Sequence, residues 1–176
     1  MRFRDWMGTG WFVALLTVVA VSCSSTPEGP TIEISDTAWT ATPASIEAGG
    51  GSFSITVVNS GAEQEEFAVV RLFNGDPATL PMVDGLLDLS RDGLFADAEN
   101  PGVATFGVVY PDYERREGEG VPPGVLTPDT VAPGEEKSVD IGGFKGGGEP
   151  GTYVVLSWEP GGYEAGDYAS FTVTEP

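Results

Sequence analysis

Histidine is absent from this chain, and cysteine occurs once, at Cys23. The first absence removes Ser-His-Asp and Cys-His nucleophilic sites, His-ligated zinc and any imidazole general base. The single cysteine rules out an intramolecular disulfide, so stability has to come from a packed core. Cations are scarce as well: 8 Lys and Arg stand against 27 Asp and Glu, a formal net charge of −19. A surface of that sign repels nucleic acid, whose binding depends on neutralising phosphates with Lys and Arg. It also repels anionic lipid headgroups. The acids are scattered rather than run together, which is the pattern of a solvated surface. Nothing in their spacing singles out an acid and a base for hydrolysis, so the chain is expected not to be an enzyme.

What is present begins with the N-terminus. Arg2 and Arg4 precede a continuous apolar run, Trp11 to Val21. The pair matches the basic and apolar regions of a secretory signal, and the run falls short of the about 20 residues that a bilayer span needs. Ala20-Val21-Ser22-Cys23 follows, then Ser24-Ser25-Thr26-Pro27-Glu28-Gly29-Pro30. Small residues before a cysteine, with a polar Ser/Pro/Gly stretch behind it, resemble the bacterial lipoprotein signal. That resemblance implies a signal peptide over 1–22, acylation of Cys23, and a flexible tether over 23–30. Two or more acyl chains hold a protein stably, at about 0.8 kcal/mol per buried CH2. The expected location is the extracytoplasmic side of a bacterial membrane or envelope. A plain secretory signal with an incidental cysteine, or an N-terminal membrane helix, is the alternative.

The remaining stretch, 31–176, has the length of one domain. The chain is 40% hydrophobic and 20% charged, with 25 Gly and 14 Pro. This is globular composition with many turns. Ser52 to Asn59 alternates with Phe53, Ile55 and Val57 on one face, the mark of a half-buried strand. Thr31–Ser35, Glu66–Leu72, Gly102–Tyr110, Lys137–Ile141, Thr152–Trp158 and Tyr168–Thr174 read as further strands. The expectation is an all-β antiparallel sandwich or barrel with at most one short helix, near 81–89. Two long loops, 73–101 and 111–131, interrupt it.

Gly151-Thr152-Tyr153-Val154-Val155-Leu156-Ser157-Trp158-Glu159-Pro160-Gly161-Gly162-Tyr163, with Gly166-Asp167-Tyr168 and Phe171 to Val173, resembles the last two strands of the cupredoxin (blue-copper) family. The sulfocyanin-like and plastocyanin-like members are the most similar. Asn59-Ser60-Gly61 with Glu65-Glu66-Phe67, Leu80-Pro81-Met82-Val83-Asp84-Gly85, and Ala132-Pro133-Gly134-Glu135 resemble further segments of that family, in the same order. The resemblance implies a cupredoxin-like Greek-key sandwich. It also implies that the four copper-ligand positions fall on Glu65, Ser157, Gly162 and Asp167. None of these is the family's ligand. A type 1 copper site needs a thiolate and two imidazoles, so no copper is expected.

Two groups could instead offer oxygen to a hard cation such as calcium. One is Glu65, Ser157 and Asp167. The other is Asp88 to Glu99, which resembles an EF-hand loop with Asp88, Ser90 and Asp92 at odd ligand positions, Gly93 at the turn and Glu99 at the twelfth. The same stretch also reads as an acidic surface loop. Trp39, Trp158, Tyr163 and Tyr168 could form an aromatic face for a glycan or protein partner, or serve as packing. The reading that follows is a lipid-anchored, non-catalytic domain of the cell envelope, tied to the membrane by its anchor and binding a protein or glycan partner or giving structural support. An oxygen-ligand metal-binding module is the second reading, and electron transfer through another cofactor the third.

Overall fold

The computed structural model describes residues 28–47, 51–94, 104–110, 128–142 and 148–175. Cys23, Glu99, the signal segment and most of the second long loop lie outside these residues.

Alternating burial builds the first sheet. In β4 (Phe53–Asn59), Phe53, Ile55, Val57 and Asn59 point inward and the residues between them are half-buried. β4 lies between β10 (Glu136–Ile141) and β1 (Glu28–Ser35), with β2 (Ala38–Thr42) at the edge. The second sheet runs β3 (Ser45–Glu47), β12 (Tyr168–Thr174), β11 (Gly151–Ser157), β5 (Glu65–Leu72) and β8 (Phe106–Tyr110), and β9 (Asp129–Val131) also pairs with β5. Strand β1 begins at Glu28, so the fold takes in Glu28–Pro30, which the sequence reading gave to the tether. Glu28 pairs with Ser54 of β4, and the register shifts before Thr31 pairs with Thr56.

Most pairings are antiparallel, as expected, but β1 runs parallel to β4 and β3 parallel to β12. β2, β3 and β9 are short edge segments with little apolar alternation, which is why the sequence did not show them.

The sheets close over one core that contains Ile32, Ile34, Phe53, Ile55, Phe67 and Tyr153. Tyr153 stacks on Phe171 at 5.4 Å, and the Phe53 ring meets both edge-on. Each such side chain contributes about 1.5–3 kcal/mol on full burial. A second core lies on the outer face of the larger sheet. There Val70, Val154 and Leu156 pack under Leu80, Leu87 and Tyr163. This explains why Phe67–Val70 and Tyr153–Leu156 are buried on both faces.

The cover of that second core corrects the expected helix. Residues 82–87 form a hairpin, β6 (Met82–Val83) and β7 (Leu86–Leu87). Asp84 and Gly85 sit between them with φ of 51° and 75°. Two left-handed residues in a two-residue loop make the tight turn whose twist suits a hairpin. The Asp-Gly pair flanked by apolar residues is that turn's signature. The described helices are single turns elsewhere: α1 (Arg91–Leu94) and α2 (Gly162–Ala165).

Candidate functional site

β5 starts and β11 ends at the same edge of the larger sheet, with Ser157 opposite Phe67. Side chains alternate along a strand, so Glu65, Phe67 and Val69 share one face, as do Tyr153, Val155 and Ser157. After Ser157 the chain turns through α2 and returns into β12. The N–H of Ser157 donates to the Asp167 carbonyl at 2.9 Å, and the N–H of Asp167 to the Gly162 carbonyl at 3.0 Å. A Cβ built on Gly162 would lie 2.5 Å from Ser157 Oγ and 3.6 Å from an Asp167 carboxylate oxygen. Burial raises the pKa of the Glu65 carboxyl, and the charges of Glu159, Asp167, Glu63 and Asp36 add to the effect. Three of the positions that the resemblance aligned are in contact, and the fourth feels the charge of Asp167.

The domain is a sandwich of two main sheets with β1 parallel to β4. It is similar to the structure of auracyanin B, with 19% identity and a TM-score of 0.43, over 86% of this chain and 92% of that one. It is also similar to Na-dithionite reduced auracyanin from the photosynthetic bacterium Roseiflexus castenholzii, with 18% identity and a TM-score of 0.40, over 82% of this chain and 96% of the other. The McoA multicopper oxidase of the hyperthermophile Aquifex aeolicus matches at 9% identity and a TM-score of 0.42, over 86% of this chain and 30% of the oxidase. No protein-family model and no curated protein matches the sequence.

The residues at this edge do not fit type 1 copper. A carboxylate, a hydroxyl, a bare glycine and a second carboxylate provide neither thiolate nor imidazole. Gly162 offers no room for a ligating side chain, because Ser157 already occupies the space its Cβ would enter. Ser157 is 4% exposed, and its Oγ accepts a hydrogen bond from the N–H of Glu159 at 3.2 Å. Among the described residues no group of three or more His, Cys, Asp or Glu is arranged to hold a metal ion.

In the stretch from Asp88, local backbone capping engages one oxygen each of Asp88 and Ser90. Asp88 Oδ1 accepts from the Ser90 N–H at 2.9 Å. Ser90 Oγ accepts from the Gly93 N–H at 3.2 Å, as an N-cap does for the third residue of a helix. Asp92 is exposed in that turn. Gly93 packs against Asp88, whose carbonyl oxygen would be 2.3 Å from a Cβ there.

The aromatic residues divide. Trp39 belongs to the main core. Tyr163 is 5% exposed, and its hydroxyl donates to the Pro77 carbonyl at 2.7 Å and accepts from the Leu80 N–H at 2.9 Å. Trp158 and Tyr168 are partly buried against the second core. An open groove of about 570 Å³ runs beside Leu80, Met82, Tyr163, Glu164 and Tyr168.

The sequence reading placed Asn59 at the end of a strand and in a family-like segment, but gave its side chain no role. It is fully buried beside the β5 edge, and its side chain makes three hydrogen bonds: Nδ2 to the Glu63 and Val131 carbonyls, and Oδ1 from the Gly61 N–H. A buried-looking Asn at the end of an otherwise apolar face (Phe53, Ile55, Val57) was the available signal.

Proposed function

We propose that this chain is a lipid-anchored, extracytoplasmic domain of a bacterial envelope. It uses a cupredoxin-like sandwich without type 1 copper, and it binds a partner or supports structure rather than catalysing a reaction or carrying electrons. The observation behind the copper-free reading is that Ser157, Gly162 and Asp167 converge without a nitrogen or sulfur side-chain donor among them. The partner is a protein or a glycan. Nucleic acid is disfavoured by the net charge of −19.

A second reading, an oxygen-ligand site for a calcium-type cation, has support in the raised pKa of Glu65. Burial and its carboxylate neighbours Glu159 and Asp167 raise it, and a bound cation would relieve that repulsion.

One experiment separates these. The full chain in detergent is melted with chelator, then with Ca2+, Mg2+ and Cu2+ in turn, with visible absorption recorded. A ligand that binds only the folded state raises the melting temperature. The proposal expects no shift with any of the three. A rise with Ca2+ that Glu65→Gln abolishes establishes the second reading. A blue colour and a rise with Cu2+ overturn the copper-free reading.

A further inference from the structure

We infer that the corner between β11 and β12 is a self-closed clasp, with the backbone of Gly162 filling the place a ligating side chain would need. The inference rests on the copper-free reading and goes beyond it. That reading concerns which donors are missing; this one concerns what holds the corner together.

Four hydrogen bonds run in a ring through Ser157, Asp167, Gly162 and Glu159. The N–H of Ser157 donates to the Asp167 carbonyl at 2.9 Å, that of Asp167 to the Gly162 carbonyl at 3.0 Å, and that of Gly162 to the Glu159 carbonyl at 3.0 Å. The N–H of Glu159 closes the ring on Ser157 Oγ at 3.2 Å. Three of these residues stand at the aligned ligand positions. The N–H groups of Ser157, Glu159, Gly162 and Asp167 all have partners within the corner, as buried backbone groups require.

The ring is drawn tight around a missing side chain. A Cβ on Gly162 would lie 2.5 Å from Ser157 Oγ and 2.8 Å from Ser157 Cβ, closer than carbon atoms pack. Gly162 is not among the residues with positive φ, so its backbone conformation does not demand glycine. The demand comes from the packing alone. The corner is also pinned from outside: the Gly161 N–H donates to the Gly85 carbonyl at 2.8 Å, and the Trp158 N–H to the Glu66 carbonyl at 2.8 Å. The Trp158 N–H ties the corner to β5, and the Ser157 hydroxyl holds Glu159 within the corner.

The test is a double-mutant cycle of thermal melts on the full chain in chelator: wild type, Gly162→Ala, Ser157→Gly and the pair. Helix propensity alone makes Gly→Ala in a helical turn stabilising, so the two accounts predict opposite signs. The clasp predicts that Gly162→Ala lowers the melting temperature by several degrees, and that the same substitution costs clearly less when Ser157 is already Gly. If Gly162→Ala fails to fold, recovery of folding in the double variant carries the same meaning. An unchanged or raised melting temperature for Gly162→Ala, or an equal cost in both backgrounds, overturns the inference. Because these melts contain no metal, failure here is distinct from failure of the copper-free reading, which shows only in the wild-type copper titration.

Discussion

Asn59, at the end of β4, donates through Nδ2 to the carbonyl of Val131 in β9, 3.0 Å away in the opposite sheet. The backbone of Asn59 is engaged as well: its N–H donates to the Glu135 carbonyl, and its carbonyl accepts from the Gly134 N–H. One buried side chain therefore binds both sheets and the turn before β5. Asn59→Ala strands the Val131 and Glu63 carbonyls and the Gly61 N–H. The Val131 bond is buried and the other two are part-buried; an unsatisfied buried group costs about 1–3 kcal/mol and a part-buried one less, so a loss of about 2–4 kcal/mol in urea unfolding is expected. Asn59→Asp, nearly the same shape, is expected to cost at least as much at neutral pH, because a carboxylate cannot donate to two carbonyls.

A second tie between the sheets is ionic. Lys137 in β10 donates to Asp129 in β9, and the Tyr110 hydroxyl of β8 donates to the other Asp129 oxygen. Burial raises the Asp129 carboxyl, but hydrogen bonds from Lys137, Tyr110 and its neighbour's N–H outweigh this and leave it below its ordinary 3.8. A depressed carboxyl contributes stability above its unfolded value, and that stability is lost as pH falls through the folded one. Lys137→Met is therefore expected to cost about 1 kcal/mol at neutral pH. It is also expected to weaken the part of the acid sensitivity that lies below pH 3.8, as read from melts across the acid range.

Glu65 behaves in the opposite sense. Burial and the charges of Glu159, Asp167, Glu63 and Asp36 raise its carboxyl above 4.5. The folded state then holds its proton more tightly than the unfolded chain, so the ionised group opposes folding at pH values above the folded pKa. That opposition fades as pH falls through the folded value toward 4.5. Glu65→Gln is expected to raise neutral-pH stability by at most about 1 kcal/mol, since solvent still screens the group. The stability gap to wild type should shrink on acidification, which paired melts measure.

Gly85 faces two constraints. Its φ is 75°, and a Cβ there would lie 2.6 Å from the Gly161 nitrogen. Gly85→Ala is expected to cost about 2 kcal/mol or more, from backbone strain and loss of the close approach. Asp84→Asn is expected to be nearly neutral, because Asn tolerates the left-handed region as well as Asp does. Urea midpoints of the two variants check the contrast.

The anchor is tested at Cys23. Cys23→Ser is expected to abolish incorporation of labelled palmitate and to move the protein from the membrane to the soluble fraction. Retention of label and membrane association in that variant would sink the lipidation reading.

Much of the fold was legible because strand alternation is local. Phe53, Ile55 and Val57 announce their own buried face, and so do Ile32 and Ile34. The four aligned positions rest on the order of segments that resemble a known family, and the structure brings Ser157, Gly162 and Asp167 into contact. The hairpin at 82–87 was misread because its apolar pairs suit either a helix or a strand. The Asp84-Gly85 turn decides between them.

By itself the sequence determined an all-β domain with no thiolate or imidazole in its strands, because residue types and their period settle what chemistry and which local geometry are available. Only the tertiary structure decided that β1 runs parallel to β4, that a second core lies beneath the β6–β7 hairpin, and that a Cβ at Gly162 would press on Ser157. The physical reason is that pairing direction and the space left for a Cβ are set by how the chain turns back in space, not by the residue pattern of one strand. No local pattern at Gly162 records that Ser157, from the preceding strand, already fills the place beside it.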